Sequence, residues 1–198
     1  IPIFLTNGND WIHIDSFGVE RVVSGPFNQD ILKRRLEMSK TRKDLEVVKV
    51  NTKMLDRTKS ISIIKTLEEH FSRGHRKALI AMATGTGKTR VSMALIDVLL
   101  NANYIRNVLF VADRISLANQ ADEEGLSKFF HEPSHKIHEG GFSTTARFYT
   151  STIQTLMSRS KKGKFMFEEY NCGFFDLIVF DEAHRSIYDK NNSIIEIF

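Results

Sequence analysis

The chain has 198 residues, 41% hydrophobic and 26% charged, an ordinary balance for a globular protein that excludes a disordered tail. Its single cysteine, Cys172, excludes an intrachain disulfide and suits a reducing compartment, and its longest apolar stretch, Val91 to Leu100, is broken by Ser92 and Asp97, well short of the roughly 18 residues of a membrane span. The net charge of +4 is uneven: residues 31–60 carry ten Lys/Arg against four Asp/Glu, which reads either as a solvated helix face or as a surface for a nucleic-acid backbone.

Ile3 to Thr6, the pair Asn7-Gly8, and Asn9 to Asp15 with Trp11 and His13 alternating against Ile12 and Ile14 predict a β-hairpin, because Asn-Gly tolerates the positive φ of a tight turn. Phe17 to Val23 adds a further strand, and Ser24-Gly25-Pro26 marks a break. From Phe27 to about Val48 the sequence is charged, with Ile31, Leu32, Leu36 and Leu45 loosely on one face, the pattern of a helical connector. Ile61, Ile64, Leu67 and Phe71 form a clean helical stripe that glycine closes at Arg73-Gly74.

Ala78 to Met82 predicts a buried strand, and Val91, Ala94, Leu95, Val98 and Ala102 recur at helical spacing beyond it. Between them lies Ala83-Thr84-Gly85-Thr86-Gly87-Lys88-Thr89. Strand, glycine-rich turn and helix in that order make a phosphate cradle: the glycines let backbone N–H groups approach phosphate oxygens, and the helix presents its positive end to the same anion. Lys88 suits the β and γ phosphates, and the Thr89 hydroxyl suits Mg²⁺. The first glycine of the strict pattern is replaced by Met82.

Asn107 to Ala112, Phe148 to Thr150 and Leu177 to Phe180 predict three more buried strands, with a helix from Asp113 to about Glu124. Near-continuous apolar strands alternating with helices predict an α/β fold, a parallel sheet covered by helices on both faces. His131, His135 and His138 invite a metal reading, but Pro133 breaks the helix that would align them, and they read as loop histidines. Arg159, Lys161, Lys162 and Lys164 around Gly163 read as a solvated loop, with phosphate contact as the alternative.

The last strand runs into Asp181-Glu182-Ala183-His184, 93 positions after Lys88. Ligands bind at the C-terminal ends of parallel strands, where an acid holds Mg²⁺ and its neighbour orients and deprotonates the attacking water. That assigns Asp181 to the metal and Glu182 to general base catalysis.

Together these motifs resemble the first motor lobe of DEAH-type superfamily 2 ATPases, a RecA-like P-loop lobe. Val111-Ala112-Asp113-Arg114 with Leu117 and Gln120, Ser151-Thr152-Ile153-Gln154-Thr155-Leu156, and Asp176 through Arg185-Ser186 narrow the resemblance to the motor subunit of type I restriction-modification enzymes. The resemblance implies a prokaryotic cytoplasmic ATP- and Mg²⁺-dependent translocase of double-stranded DNA, partnered by modification and specificity subunits. It implies a nucleotide site of Thr84 to Thr89 with Arg57 and His184, and nucleic-acid contacts from Arg114, Thr152 and Gln154. For Arg114 and Thr152 a capping or surface role stands beside the nucleic-acid one. The family's Arg-x-Tyr-Gln adenine-reading pattern is met only at Arg57, since Lys59-Ser60 replace Tyr-Gln.

The chain reads as a piece of a longer protein: 1–25 the end of an upstream nuclease-like domain, 26–58 a basic helical connector, and 59–198 motor lobe 1 without its C-terminal part. In folds of this type the strand after Asp-Glu inserts between that strand and the P-loop strand, so a gap is expected at the sheet's centre, with marginal stability. The alternatives are another superfamily 2 helicase or remodeller, and a nucleotide-binding interaction module without turnover.

Overall fold

The computed structural model describes residues 3–15, 18, 20–55, 58–83 and 85–182. It divides into two compact units, one drawn from Ile1–Glu37 with Arg106–Phe198 and the other from Met38–Ile105.

The first unit opens with three antiparallel strands, β1 (Ile3–Thr6), β2 (Trp11–Ile14) and β3 (Glu20–Val23). The hairpin is as expected, but its loop has four residues rather than two, because Thr6 pairs with Trp11. Asn7 closes that loop: its Oδ1 accepts from the backbone N–H of Asn9 (3.0 Å) and Asp10 (2.7 Å), and Gly8 takes φ +97. Phe4 and His13 pack on Phe27, with ring centroids 5.0 and 4.7 Å from it. The connector helix α1 (Gln29–Thr41) follows, its first turn fixed by Asn28, whose Oδ1 accepts from Ile31 N–H (2.9 Å).

In the second unit, α2 (Thr58–Ser72) buries Ile64 and Leu67 and ends at Gly74, φ +86. It packs on α3 (Lys88–Asn101). Val91, Ala94, Leu95 and Val98 are buried as the spacing requires, and so are Met93, Ile96 and Leu99, so α3 is enclosed on more than one side. Residues 75–83 adopt no regular structure. The expected strand Ala78 to Met82 is therefore absent from the described residues, and Leu79 is 82% exposed. A β-strand exists only when a neighbour supplies its ladder, and an apolar run cannot supply one for itself.

The main sheet has the order β5-β6-β4-β7 and is wholly parallel. β4 (Val108–Ala112) is central and fully buried, and leads through Asp113-Arg114 to α4 (Ile115–Gln120). The helix expected to run on to Glu124 loosens into a π-type turn, Ala121–Leu126, followed by α5 (Ser127–Phe129). β5 (Ser134–Lys136) and α6 (Ile137–Gly140) come next, then β6 (Phe148–Thr152), α7 (Ile153–Leu156) and β7 (Leu177–Phe180). β5 was not expected from the sequence, and it carries His135. One sheet face joins Leu109, Val111 and Tyr149 to Ile137, Ile153, Leu156 and Phe175. On the other, Phe148 meets Phe130 at 4.9 Å. The α/β fold is as expected.

One carboxylate fixes how the sheet starts. Asp176, its side chain 6% exposed, accepts from the backbone N–H of Arg106 and Asn107 through Oδ2 (3.0 Å each) and from Arg34 Nη2 through Oδ1 (3.0 Å). Arg34 Nη2 also donates to the carbonyls of Gly173 (3.1 Å) and Phe174 (2.9 Å). Removing one member of a buried ion pair strands the other. Asp176→Ala is expected to cost about 3 kcal/mol, and Asp176→Asn, which keeps an acceptor, distinctly less; urea denaturation of the two variants checks both.

Tyr149 Oη donates to Ala146 O (2.8 Å) and accepts from Ala146 N–H (3.2 Å). Burial pushes its phenol up from 10.0 to about 12 and raises Tyr170 as well. Unfolded phenols lose their protons near pH 10 while these two keep theirs, so the unfolded state binds fewer protons and folding stability falls as pH rises from there. The melting temperature is expected to drop between pH 10 and 12, with tyrosinate absorbance rising only as the chain unfolds.

Candidate nucleotide site and sheet edge

The glycine-rich turn belongs to the second unit. Gly85 and Gly87 hold φ +74 and +89, a region that favours glycine, and a Cβ on either would meet no heavy atom within 4 Å. The turn is braced by Thr86 Oγ1 donating to Ala83 O (2.6 Å). Gly87 is the N-cap of α3, and no side chain caps that helix. The space above the glycines is open, and a helix N-terminus favours an anion there. Lys88 and Thr89 occupy the first turn, half-buried. This arrangement fits a phosphate group. Thr84, Arg57 and His184 lie outside the described residues.

The remaining candidates belong to the first unit, at the C-terminal edge of the sheet. Register puts Ala112 opposite Thr152 and Val111 opposite Phe180, so the segments leaving β4, β6 and β7 emerge side by side. Arg114, 69% exposed, is the N-cap of α4, and its Nε lies 3.7 Å from Asp113 Oδ2, an exposed pair that contributes little to stability. Thr152 is 1% exposed, and its Oγ1 accepts from Thr155 N–H (3.2 Å) to cap α7. Gln154, two residues on, is exposed.

Asp181 continues the β7 ladder, its N–H donating to Val111 O (2.9 Å), and its Oδ1 accepts from Glu182 N–H (3.0 Å). Glu182 sits at φ +52, one of two non-glycine residues with positive φ among those described. Such a backbone costs on the order of 1 kcal/mol and persists where the surroundings enforce it.

His135 Nε2 pairs with Gly141 O (2.9 Å) and His138 Nε2 with Asn119 Oδ1 (2.9 Å). Both serve the α4 to β6 crossover. No cluster of three or more metal-ligating side chains occurs among the described residues, and none of their helices is long and apolar enough to cross a membrane. Sequence reasoning did not single out Glu169, which secures the basic turn after α7 by accepting from Lys162 Nζ (2.8 Å) and Ser160 Oγ (2.6 Å). These bonds, Lys162 foremost, hold its carboxyl below the usual carboxylate range.

The sequence profile described as "Type III restriction enzyme, res subunit" matches residues 53–198, well over half of the chain. The chain belongs to this ResIII family. Relatives include the EcoKI endonuclease subunit of a type I restriction enzyme of Escherichia coli (strain K12), 32% identical over 149 residues, or 66% of this chain and 12% of that protein. The EcoAI endonuclease subunit of Escherichia coli is 30% identical over 136 residues, or 69% of this chain and 16% of that one. This ResIII chain therefore spans a small part of both. The resemblance to type I motor subunits is met by these relatives. Among solved structures, the Sulfolobus solfataricus SWI2/SNF2 ATPase core in complex with dsDNA aligns with a TM-score of 0.57 at 21% identity, covering 70% of this chain and 29% of that one. That likeness shows the fold alone, a RecA-like lobe built on a parallel sheet.

Gly87→Ala places a side chain on a left-handed N-cap with no steric neighbour, so backbone strain alone is expected to cost about 1 to 2 kcal/mol. Thermal denaturation checks the cost.

Proposed function

We propose that this ResIII chain is part of an ATP-driven double-stranded DNA translocase of a type I restriction enzyme. The observation that carries the reading is the α3 N-terminus: left-handed Gly87, no side-chain cap, and Lys88-Thr89 in the first turn. That construction suits a nucleotide's phosphates better than any structural task in the unit. Gly85 to Thr89, with Thr84, cradle the phosphates, and Lys88 neutralises charge on the β and γ groups. Mg²⁺, when bound, adds charge neutralisation at the transferred phosphate; Thr89 and Asp181 are the residues to hold it. Glu182 orients and deprotonates the attacking water. Its strained backbone is consistent with a position fixed by function rather than by folding.

Arg114 and Gln154 meet the DNA backbone, with buried Thr152 positioning Gln154 through the α7 cap. Duplex DNA is favoured because the relatives are named as restriction endonuclease subunits and the fold neighbour was solved with dsDNA. Arg57 and His184 complete the nucleotide site, and modification and specificity subunits are the partners. By descent, residues 1–25, 26–58 and 59–198 are the end of a nuclease-like domain, a connector and the motor lobe.

Steady-state ATP turnover by the naturally full-length protein tests this, with and without duplex DNA, single-stranded DNA and RNA. Duplex DNA is expected to stimulate turnover. Glu182→Gln is expected to lower kcat by about 10² to 10⁴ with ATP binding retained. Stimulation by single strands or RNA alone indicates an unwinding helicase instead, and no turnover under any condition indicates a binding module.

A further inference from the structure

Beyond α7 the chain folds back at once into a closed basic turn. Met166 N–H donates to Ser158 O (2.8 Å), Ser160 N–H to Lys164 O (2.7 Å) and Gly163 N–H to Ser160 O (2.9 Å), while Arg159 and Phe165 form an antiparallel bridge. Gly163, at φ +79, supplies the left-handed residue that closes it. Met157, Phe165 and Met166 pack against the apolar core under the sheet and anchor the base of the turn. It is therefore a fixed projection, and it starts two residues after the helix that carries Gln154.

Its four cations divide into two kinds. Arg159 Nη1 donates to Gly163 O (2.6 Å), with its guanidinium 5.1 Å from the Phe165 ring centre. Lys162 Nζ pairs with Glu169 at 2.8 Å. These two build the turn. Lys161 and Lys164 are exposed, and neither ammonium forms a hydrogen bond or salt bridge among the described residues. Of the acids beside the turn, Glu169 is committed to Lys162 and Ser160, and Glu168 Oε2 accepts from Phe165 N–H (2.7 Å).

Two exposed ammonium groups three positions apart on a braced turn present positive charge to solvent, and a polyanion meets it without ordering a flexible loop first. We infer that the Lys161 and Lys164 turn is a further DNA-backbone contact, extending past Gln154 the track on which the duplex lies. This inference rests on the duplex translocase reading. The ligand is the phosphate chain itself, so the contact adds affinity and salt dependence without sequence preference.

The experiment is duplex binding by the full-length protein in its native complex, measured over a series of salt concentrations. Each phosphate contact contributes about 0.9 to the slope of log K against log salt. Lys161→Gln with Lys164→Gln is expected to reduce that slope by about 1.8, with an unchanged melting temperature because neither side chain holds the turn. Lys161→Arg with Lys164→Arg is expected to retain the full slope. Duplex binding with an unaltered slope in the Gln pair overturns the inference, and so does a loss that accompanies a lowered melting temperature. Absence of duplex binding by the unsubstituted complex removes the translocase reading and this one together.

Discussion

The carboxylate of Asp176 is the constraint on which the rest of the main sheet depends. It stands just before β7, yet its partners are the two backbone amides that open β4 and a guanidinium on α1. Charge-assisted bonds of this kind are roughly twice as strong as neutral ones and demand tight geometry. By pinning the entry to two neighbouring parallel strands at one point, Asp176 sets their stagger, Val108 opposite Leu177. Parallel pairing then carries that stagger to the far end, where Val111 meets Phe180. The level at which Arg114 and Asp181 leave the sheet is thus decided at its opposite end.

What the sequence disclosed follows the range of the interaction involved. The hairpin, α2, α3 and strands β4, β6 and β7 rest on local periodicity and were readable from it. β5 was not, since Ser134-His135-Lys136 has no apolar run; it forms at the polar sheet edge because Tyr149 and Thr150 offer it a ladder. The reverse failure is Ala78 to Met82, which has the apolar run and no ladder. The role of Asp176 was also illegible, its partners lying 142, 70 and 69 residues away. The phosphate-cradle reading rests on the type and order of Gly87 and Lys88 alone, whereas the burial of Thr152 and the left-handed backbone of Glu182 depend on neighbours that no motif names.

The two groups of residues proposed for nucleotide chemistry, one in each compact unit, use different physics. Around Gly87 the groups proposed to meet phosphate are backbone N–H dipoles joined by Lys88, at a turn whose left-handed glycines leave open space above them. At the tip of β7 the proposed groups are two carboxylates at consecutive positions that differ in backbone conformation: Asp181 extends the ladder, and Glu182 turns out of it at φ +52. Consecutive residues of an extended strand would point to opposite faces. The left-handed turn breaks that alternation, and so lets adjacent acids take different tasks.

The strand β7 also has a bearing on how this polypeptide behaves in concentrated solution. It pairs with β4 along one side only, and its other side is unpaired among the described strands. Leu177, Ile178, Val179 and Phe180 are all apolar, without the lysine, proline or bulge that commonly blunts an open edge. Such an edge is a template for an extended apolar segment, including the same strand of another copy. Pairing there between copies would stack chains edge to edge, the geometry from which aggregates grow.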